Sequence, residues 1–185
     1  GILPEGALQL ISGSTGDLLD HVTGQDVVTV TGSAWTGRKL RSGAAIVENS
    51  TRFTMEADSL NAAILGPDAG PGTPEFDLFV KEVAREMTVK AGQKCTAIRR
   101  VIAPRGVTDA LVAALGARLD KTVLGDPSAE ATRMGPLASL DQRREVRERI
   151  RELQQEAEIV AGNPDAVRVA SGDPEAGAFL NPVML

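Results

Sequence analysis

A run of β-branched residues, Val27-Val28-Thr29-Val30-Thr31, leads straight into Gly32-Ser33 and a helix-forming stretch that reaches about Arg41. A strand, a glycine turn and a helix in that order bring the chain back for a second strand parallel to the first, since parallel strands need a crossover between them. Arg52 to Met55 supplies that strand. The pattern predicts an α/β chain built on parallel βαβ units. Upstream, Ala7 to Ile11 reads as another strand, followed by the turn Ser12-Gly13-Ser14-Thr15-Gly16 and a short helix to about Val22.

The clearest helix is predicted from Pro74 to Ala91. Thr73 is placed to cap it, and Pro74 suits the first helical position. Phe76, Phe79, Val80, Val83, Ala84, Met87 and Ala91 form one apolar stripe, and Gly92 is expected to end the helix. Gly66 to Gly72, with three Gly and two Pro, reads as a loop. Ile98 to Ala103 reads as a strand. Thr108 to Leu119 reads as a helix with Leu111, Val112, Leu115 and Leu119 inward. A charged helix is expected from Leu140 to about Ala157, with Val146, Ile150, Leu153 and Ala157 toward the core. Its arginines (143, 144, 147, 149 and 151) are interleaved with Glu145, Glu148 and Glu152, which predicts a solvated, ion-paired face.

Composition excludes several classes. Among 185 residues, 20 Lys and Arg stand against 25 Asp and Glu, a net charge of −5. That balance lacks the basic footprint of a nucleic-acid partner. No apolar run approaches the roughly 18 residues of a membrane span. The single Cys allows no internal disulfide and suits a reducing, cytoplasmic setting. No metal-ligand set stands out. The chain begins Gly1-Ile2-Leu3-Pro4 and closes on the apolar Phe179 to Leu185, and both ends read as cuts inside a longer protein.

Two turns could cradle a phosphate, because a strand, a tight glycine turn and a helix start aim backbone N–H groups at an anion. Gly32-Ser33 fits, with Gly37 allowing close packing of the helix, and the Gly13 to Gly16 turn is a second candidate. Neither is the G-x-G-x-x-G fingerprint, and an ordinary βα turn has the same appearance. Cys95, in Gly92-Gln93-Lys94-Cys95-Thr96, has small polar neighbours, and Lys94 could favour its thiolate. A lone Cys also serves as a small core residue. The only His, His21, lies far off in sequence, so a Cys–His hydrolase has little behind it. Glu56 follows Phe53-Thr54-Met55 at the end of an expected strand, where parallel sheets present functional groups. Apolar neighbours would suit it to general-base work. Asp58 could share its site or face solvent.

Taken in order, Leu3-Pro4-Glu5-Gly6, Thr31-Gly32-Ser33 with Gly37, Glu56, Gly92-Gln93-Lys94-Cys95, Gly125-Asp126-Pro127 and Met134-Gly135-Pro136-Leu137 resemble the aldehyde dehydrogenase superfamily across nearly the whole chain. Thr54 to Asn61 and Ala91 to Arg100 are most similar to the branch acting on CoA-linked semialdehydes in aerobic phenylacetate degradation, where a hydratase-like domain shares the chain. The sister branch of benzoate degradation, acting on dehydroadipyl-CoA semialdehyde, is also similar. Most of the family carries Glu-Leu-Gly-Gly-Lys at the base. Here Glu56-Ala57-Asp58-Ser59-Leu60 lacks the glycine pair.

The resemblance implies residues 1–58 as part of a Rossmann-like cofactor domain, joined to residues 59–185 as part of the α/β catalytic domain. It implies Cys95 as nucleophile, Glu56 as the base that activates water, and Gly32 and Ser33 against the pyrophosphate of NADP or, less in keeping with that branch, NAD. It implies a homo-oligomer for the full-length protein. By the same resemblance the adenosine pocket and one oxyanion donor are missing, so these 185 residues alone are expected not to turn over aldehyde. Two other readings stand beside it. One is a CoA-acylating enzyme, which commonly lacks a base such as Glu56. The other is a non-catalytic dinucleotide-binding or scaffold module with Cys95 in its core.

Overall fold

The β-branched run forms β1 (Val27–Gly32), which pairs in parallel with β2 (Arg52–Ala57) in the register Val27↔Arg52 to Gly32↔Ala57. The computed structural model describes residues 2–185. They divide into two compact units, Gly1–Asp58 and Ser59–Leu185.

In the first unit, β1 turns at Gly32-Ser33 into α1 (Ala34–Arg41), and a short α2 (Ala44–Glu48) precedes β2. Ser33 caps α1: its Oγ accepts the Thr36 N–H at 3.1 Å. Gly37 is buried, and a Cβ there would lie 2.0 Å from the Met55 sulfur, so any larger residue would push the Met55 side chain aside. α2, unmarked in the sequence pattern, buries Ile46. The strand expected at Ala7 to Ile11 does not form. Leu8 and Leu10 are exposed there, and no described strand offers that segment a hydrogen-bond ladder. The helix expected to follow shrinks to a single 3-10 turn, Leu18–His21.

In the second unit, β3 (Ala62–Ile64) pairs in parallel with β4 (Arg100–Ile102), and α3 (Pro74–Thr88) forms the crossover between them. Thr73 caps α3, its Oγ1 accepting the Phe76 N–H at 3.2 Å. α4 (Thr108–Leu119) packs on α3. Phe76 and Val80 meet Leu65 and Leu111, while Val83 and Ala84 meet Leu115 and Leu119. β4 is shorter than the strand expected from Ile98 to Ala103. Ile98 lies outside it and packs its side chain against the second of these clusters.

α3 also stops short of the expected Ala91. A 3-10 turn, Val89–Gly92, follows it, with Lys90 and Ala91 in left-handed backbone at φ of 54° and 53°. The apolar stripe runs on to Ala91, but that residue packs on a different core cluster, Leu137 with Ala178 and Leu180. The chain therefore leaves α3 to reach a second core. α5 (Leu140–Leu153) likewise ends before Ala157. Only Ile150 is fully buried on it, Val146 partly, whereas Leu153 and Ala157 are exposed. The rest of its inner face goes to arginine: Arg143 donates to the Gly177 carbonyl and Arg147 to that of Pro164, each at 3.0 Å. The ion-paired face is present, with different partners. Arg144 meets Asp141, Arg149 meets Glu152, and Arg147 and Arg151 both reach Asp165. Among the described residues Glu145 and Glu148 form no ion pair.

Leu115 is wholly buried at the α3–α4 contact, and Leu153 is 55% exposed. Leu115→Ala should therefore lower stability by about 2–5 kcal/mol in urea unfolding. Leu153→Ala should change it by no more than about 0.5 kcal/mol. Equal effects would contradict this packing.

Candidate active site

Parallel strands collect functional groups at their C-terminal ends. In the first unit that end holds both Gly32-Ser33 and Glu56, whose strand position faces Thr31 across the ladder. A Cβ built on Gly32 meets nothing within 4 Å, so the backbone there is open to close approach. Ser33 takes the Thr36 N–H, and Asp58 takes that of Ala34. The N–H groups of Ser33 and Trp35 find no acceptor among the described residues. Two backbone donors at the start of α1 thus remain for an anion, the arrangement that a pyrophosphate would need.

Asp58 neither joins Glu56 nor simply faces solvent. In left-handed backbone at φ 56°, it accepts the Ala34 N–H through Oδ1 at 3.1 Å and donates its own N–H to the Gly32 carbonyl at 3.1 Å. It ties the end of β2 to the start of α1. An Asp tolerates that backbone better than most residues because its short side chain bonds locally. Glu56 itself is exposed, not shielded by its apolar neighbours.

The turn at Gly13 and Gly16 has a different setting from the one its sequence implies. Both glycines have positive φ, 108° and 57°, and the Gly16 N–H is turned back to Ser14 Oγ at 3.2 Å. Among the described residues no strand precedes them and only the four-residue 3-10 turn follows, so aligned helix donors are lacking there. His21 lies in that turn, exposed, with Nε2 3.5 Å from the Asp17 carboxylate.

In the second unit, the 3-10 turn after α3 delivers Cys95 to an exposed position. Exposure is at odds with the reading of this thiol as a core residue. Lys94 does not turn to the thiol; it pairs with Glu86 at 2.7 Å, both side chains about three-quarters covered. Gln93 braces the loop, its Nε2 donating to the Lys90 carbonyl at 3.0 Å and its Oε1 accepting the Ala138 N–H at 2.9 Å. Asn61, one residue before β3, donates through Nδ2 to the carbonyls of Cys95 at 2.5 Å and Ala97 at 3.2 Å. The Lys94 carbonyl accepts the Ala97 N–H at 3.2 Å, closing a turn around Cys95. The Cys95 N–H has no acceptor among the described residues. An exposed thiol beside a free backbone donor is the pairing that nucleophilic attack on a carbonyl requires.

Asp58 and Asn61 are the residues whose parts sequence reasoning missed. Asp58 lies within the atypical stretch after Glu56 and Asn61 directly follows it, and that departure from the usual pattern was the available signal. The motifs around Gly125 and Gly135 are structural. Gly125 donates its N–H to the Met134 carbonyl at 3.1 Å, and a Cβ on it would lie 2.4 Å from Ser171 Oγ. Asp126 accepts the Ser128 N–H and hydroxyl, each at 2.8 Å, bonds that hold its carboxyl below its ordinary value.

Comparison with known proteins supplies the wider context. The sequence profile described as the aldehyde dehydrogenase family matches residues 2–185. The chain is 50% identical, over all its 185 residues, to 36% of a 3,4-dehydroadipyl-CoA semialdehyde dehydrogenase of Aromatoleum evansii. It is 32% identical over 98% of its length to 36% of a betaine aldehyde dehydrogenase of Sinorhizobium fredii. A crystal structure of betaine aldehyde dehydrogenase from Staphylococcus aureus in complex with NAD+ superposes with a TM-score of 0.74 at 27% identity, over 85% of this chain and 30% of that one. An apo variant of the same enzyme gives 0.78 at 28% identity, over 94% and 33%. The chain thus spans about a third of the length of the relatives it matches.

The Asp58 clasp is open to a direct test. Asp58→Ala removes a capping acceptor and strains a left-handed position, and should cost about 1 kcal/mol or somewhat more in urea unfolding. Asp58→Asn keeps both features and should cost only a few tenths of that. Equal stability of Asp58→Ala and wild type would show that the clasp holds nothing.

Proposed function

The chain belongs to the aldehyde dehydrogenase family, and from that premise we propose that it forms the nucleophile-bearing part of an NAD(P)-dependent dehydrogenase oxidising a CoA-linked semialdehyde to a carboxylate. The observation that carries the reading is Cys95: an exposed thiol whose own backbone N–H is unbonded among the described residues.

In this reading the Cys95 thiolate forms a bond to the aldehyde carbon, and the π pair moves onto oxygen. The Cys95 N–H donates to that oxyanion. A bound nicotinamide would supply the hydride acceptor, and Cys95 would then hold the acyl group as a thioester. Glu56 then takes a proton from water as the water attacks the thioester, and the carboxylate departs with the thiolate restored. The open backbone at Gly32 and the free donors of Ser33 and Trp35 would hold the pyrophosphate, within a cofactor-domain portion at residues 1–58. Residues 59–185 belong to the catalytic domain. The turn at Gly13 and Gly16 offers no comparable donors, so its part in cofactor binding is the weaker one.

The relative from Aromatoleum evansii supports the CoA-linked substrate class and, within it, the benzoate branch. The stretches Thr54 to Asn61 and Ala91 to Arg100 keep the phenylacetate branch, with NADP and a hydratase-like domain in the full-length chain, as the second reading. Comparing kcat/KM of the full-length enzyme for each CoA semialdehyde, with NADP and with NAD, separates the two. A homo-oligomer is part of the proposal in either case. CoA-acylating chemistry is disfavoured by Glu56, since a base for water serves no purpose when CoA takes the acyl group.

Substitutions in the full-length enzyme test the roles. Cys95→Ala should abolish aldehyde oxidation. Glu56→Gln should lower steady-state turnover by about 100-fold or more while leaving a first turnover of reduced cofactor. Unaltered turnover of Glu56→Gln would remove Glu56 from the mechanism.

A further inference from the structure

We propose that Asn61 is a positioning residue for the nucleophile, its side-chain amide clamping the Cys95 loop so that the Cys95 N–H stays directed at the developing oxyanion. The inference rests on the reading of Cys95 just given.

A primary amide has two N–H donors. Those of Asn61 are both spent on one loop, on the carbonyls of Cys95 and Ala97. Its main-chain carbonyl accepts from the next two links, the N–H groups of Arg99 at 2.9 Å and Arg100 at 3.2 Å, where β4 begins. One residue thus satisfies four backbone groups between positions 95 and 100. The position of Asn61 is itself fixed, because Ala62 starts β3 and pairs with Arg100.

The consequence falls on two peptide planes. Asn61 holds the carbonyl that follows the Cys95 Cα. On the other side, the Lys94 carbonyl is turned into the loop, toward the Ala97 N–H. In a trans peptide the N–H points opposite to the C=O, so the Cys95 N–H is directed out of the turn. Without the amide, nothing else described fixes the Cys95 carbonyl, and the plane on one side of the nucleophile is released. The thiol stays exposed in either case. What is lost is the anchoring of the Cys95–Ala97 turn, whose Lys94–Ala97 bond directs the Cys95 N–H, and with it the alignment of that donor with the oxyanion.

Two reagents separate those effects in the full-length enzyme. With p-nitrophenyl acetate, the Cys95 sulfur bonds to the carbonyl carbon, the π pair passes to oxygen, and collapse expels p-nitrophenolate without any cofactor. With iodoacetamide, the sulfur displaces iodide from a saturated carbon, and no oxyanion forms. Asn61→Asp is isosteric but loses the paired donors. It should slow the p-nitrophenolate burst by about 100-fold, the scale expected of a misplaced catalytic group. Alkylation by iodoacetamide should stay within about threefold, since it follows thiolate fraction and access alone. Asn61→Ser keeps one donor and should slow the burst by about 10-fold, the worth of one hydrogen bond. If Asn61→Asp does not fold, Asn61→Ser carries the same comparison. A wild-type burst at Cys95 that Asn61 substitutions leave unchanged, or a parallel fall in both reactions, would overturn the positioning role alone. A wild-type enzyme with no burst, or a burst retained in Cys95→Ala, would overturn the reading of Cys95 and this proposal with it.

Discussion

The hydrogen bonds from Asn61 to the carbonyls of Cys95 and Ala97 span 34 and 36 residues of sequence, and they join the start of one strand to the loop that precedes its neighbour. Without such a bridge, the stretch after α3 would be a glycine-bearing turn with two left-handed residues and few side chains to hold it. With it, the Lys94 to Arg100 segment is tied at its carbonyls and at its amides. The short β3–β4 pair and the long amphipathic α3 therefore position this segment as well as packing the core. They set the ends of the segment, and Asn61 sets its interior. The Lys94–Glu86 pair and the Gln93–Ala138 bond anchor the approach from the α3 side.

The first unit solves a similar problem with different means. A parallel pair of strands brings Gly32-Ser33 and Glu56 to one end because register, not proximity in sequence, decides which residues share that end. Gly37 lets α1 lie against Met55, and Asp58 closes the junction from β2 back to the helix start. The carboxylate of Asp58 occupies one α1 donor and leaves two others. A pyrophosphate at this turn would sit beside a fixed negative charge. Asp58 lies within Glu56-Ala57-Asp58-Ser59-Leu60, the stretch that departs from the usual family pattern.

Much of this was legible in the sequence, for identifiable reasons. β1, β2 and α4 are patterned and α1 is capped by Ser33, and each formed close to its expected bounds. The expected strand at Ala7 to Ile11 had the right composition, but a strand also needs a ladder partner, which no local pattern reveals. The apolar spacing of α3 continues past the residue where the chain turns to another core, and that of α5 continues through Leu153 and Ala157 although both are exposed and no core holds a further turn. Ala91 shows this most clearly, still in phase with the α3 stripe while packed on Leu137 and Leu180. At the site, residue types pointed to Cys95, Glu56 and Gly32. They could not reveal Asn61 or the clasp at Asp58, since the partners of both side chains are backbone atoms of distant residues, which are the same for every residue. Lys94 illustrates the reverse error: its charge suggested a partner for the thiol, and the structure gives that charge to Glu86.

The central claim is that Cys95 carries the acyl group during turnover. The direct measurement is peptide mass spectrometry of the full-length Glu56→Gln enzyme, quenched in acid after mixing with the CoA semialdehyde and NADP. The account predicts an acyl adduct of the mass of the oxidised substrate, released by hydroxylamine, on the peptide containing Cys95. An enzyme that forms reduced cofactor while every Cys95 peptide stays unmodified would contradict it.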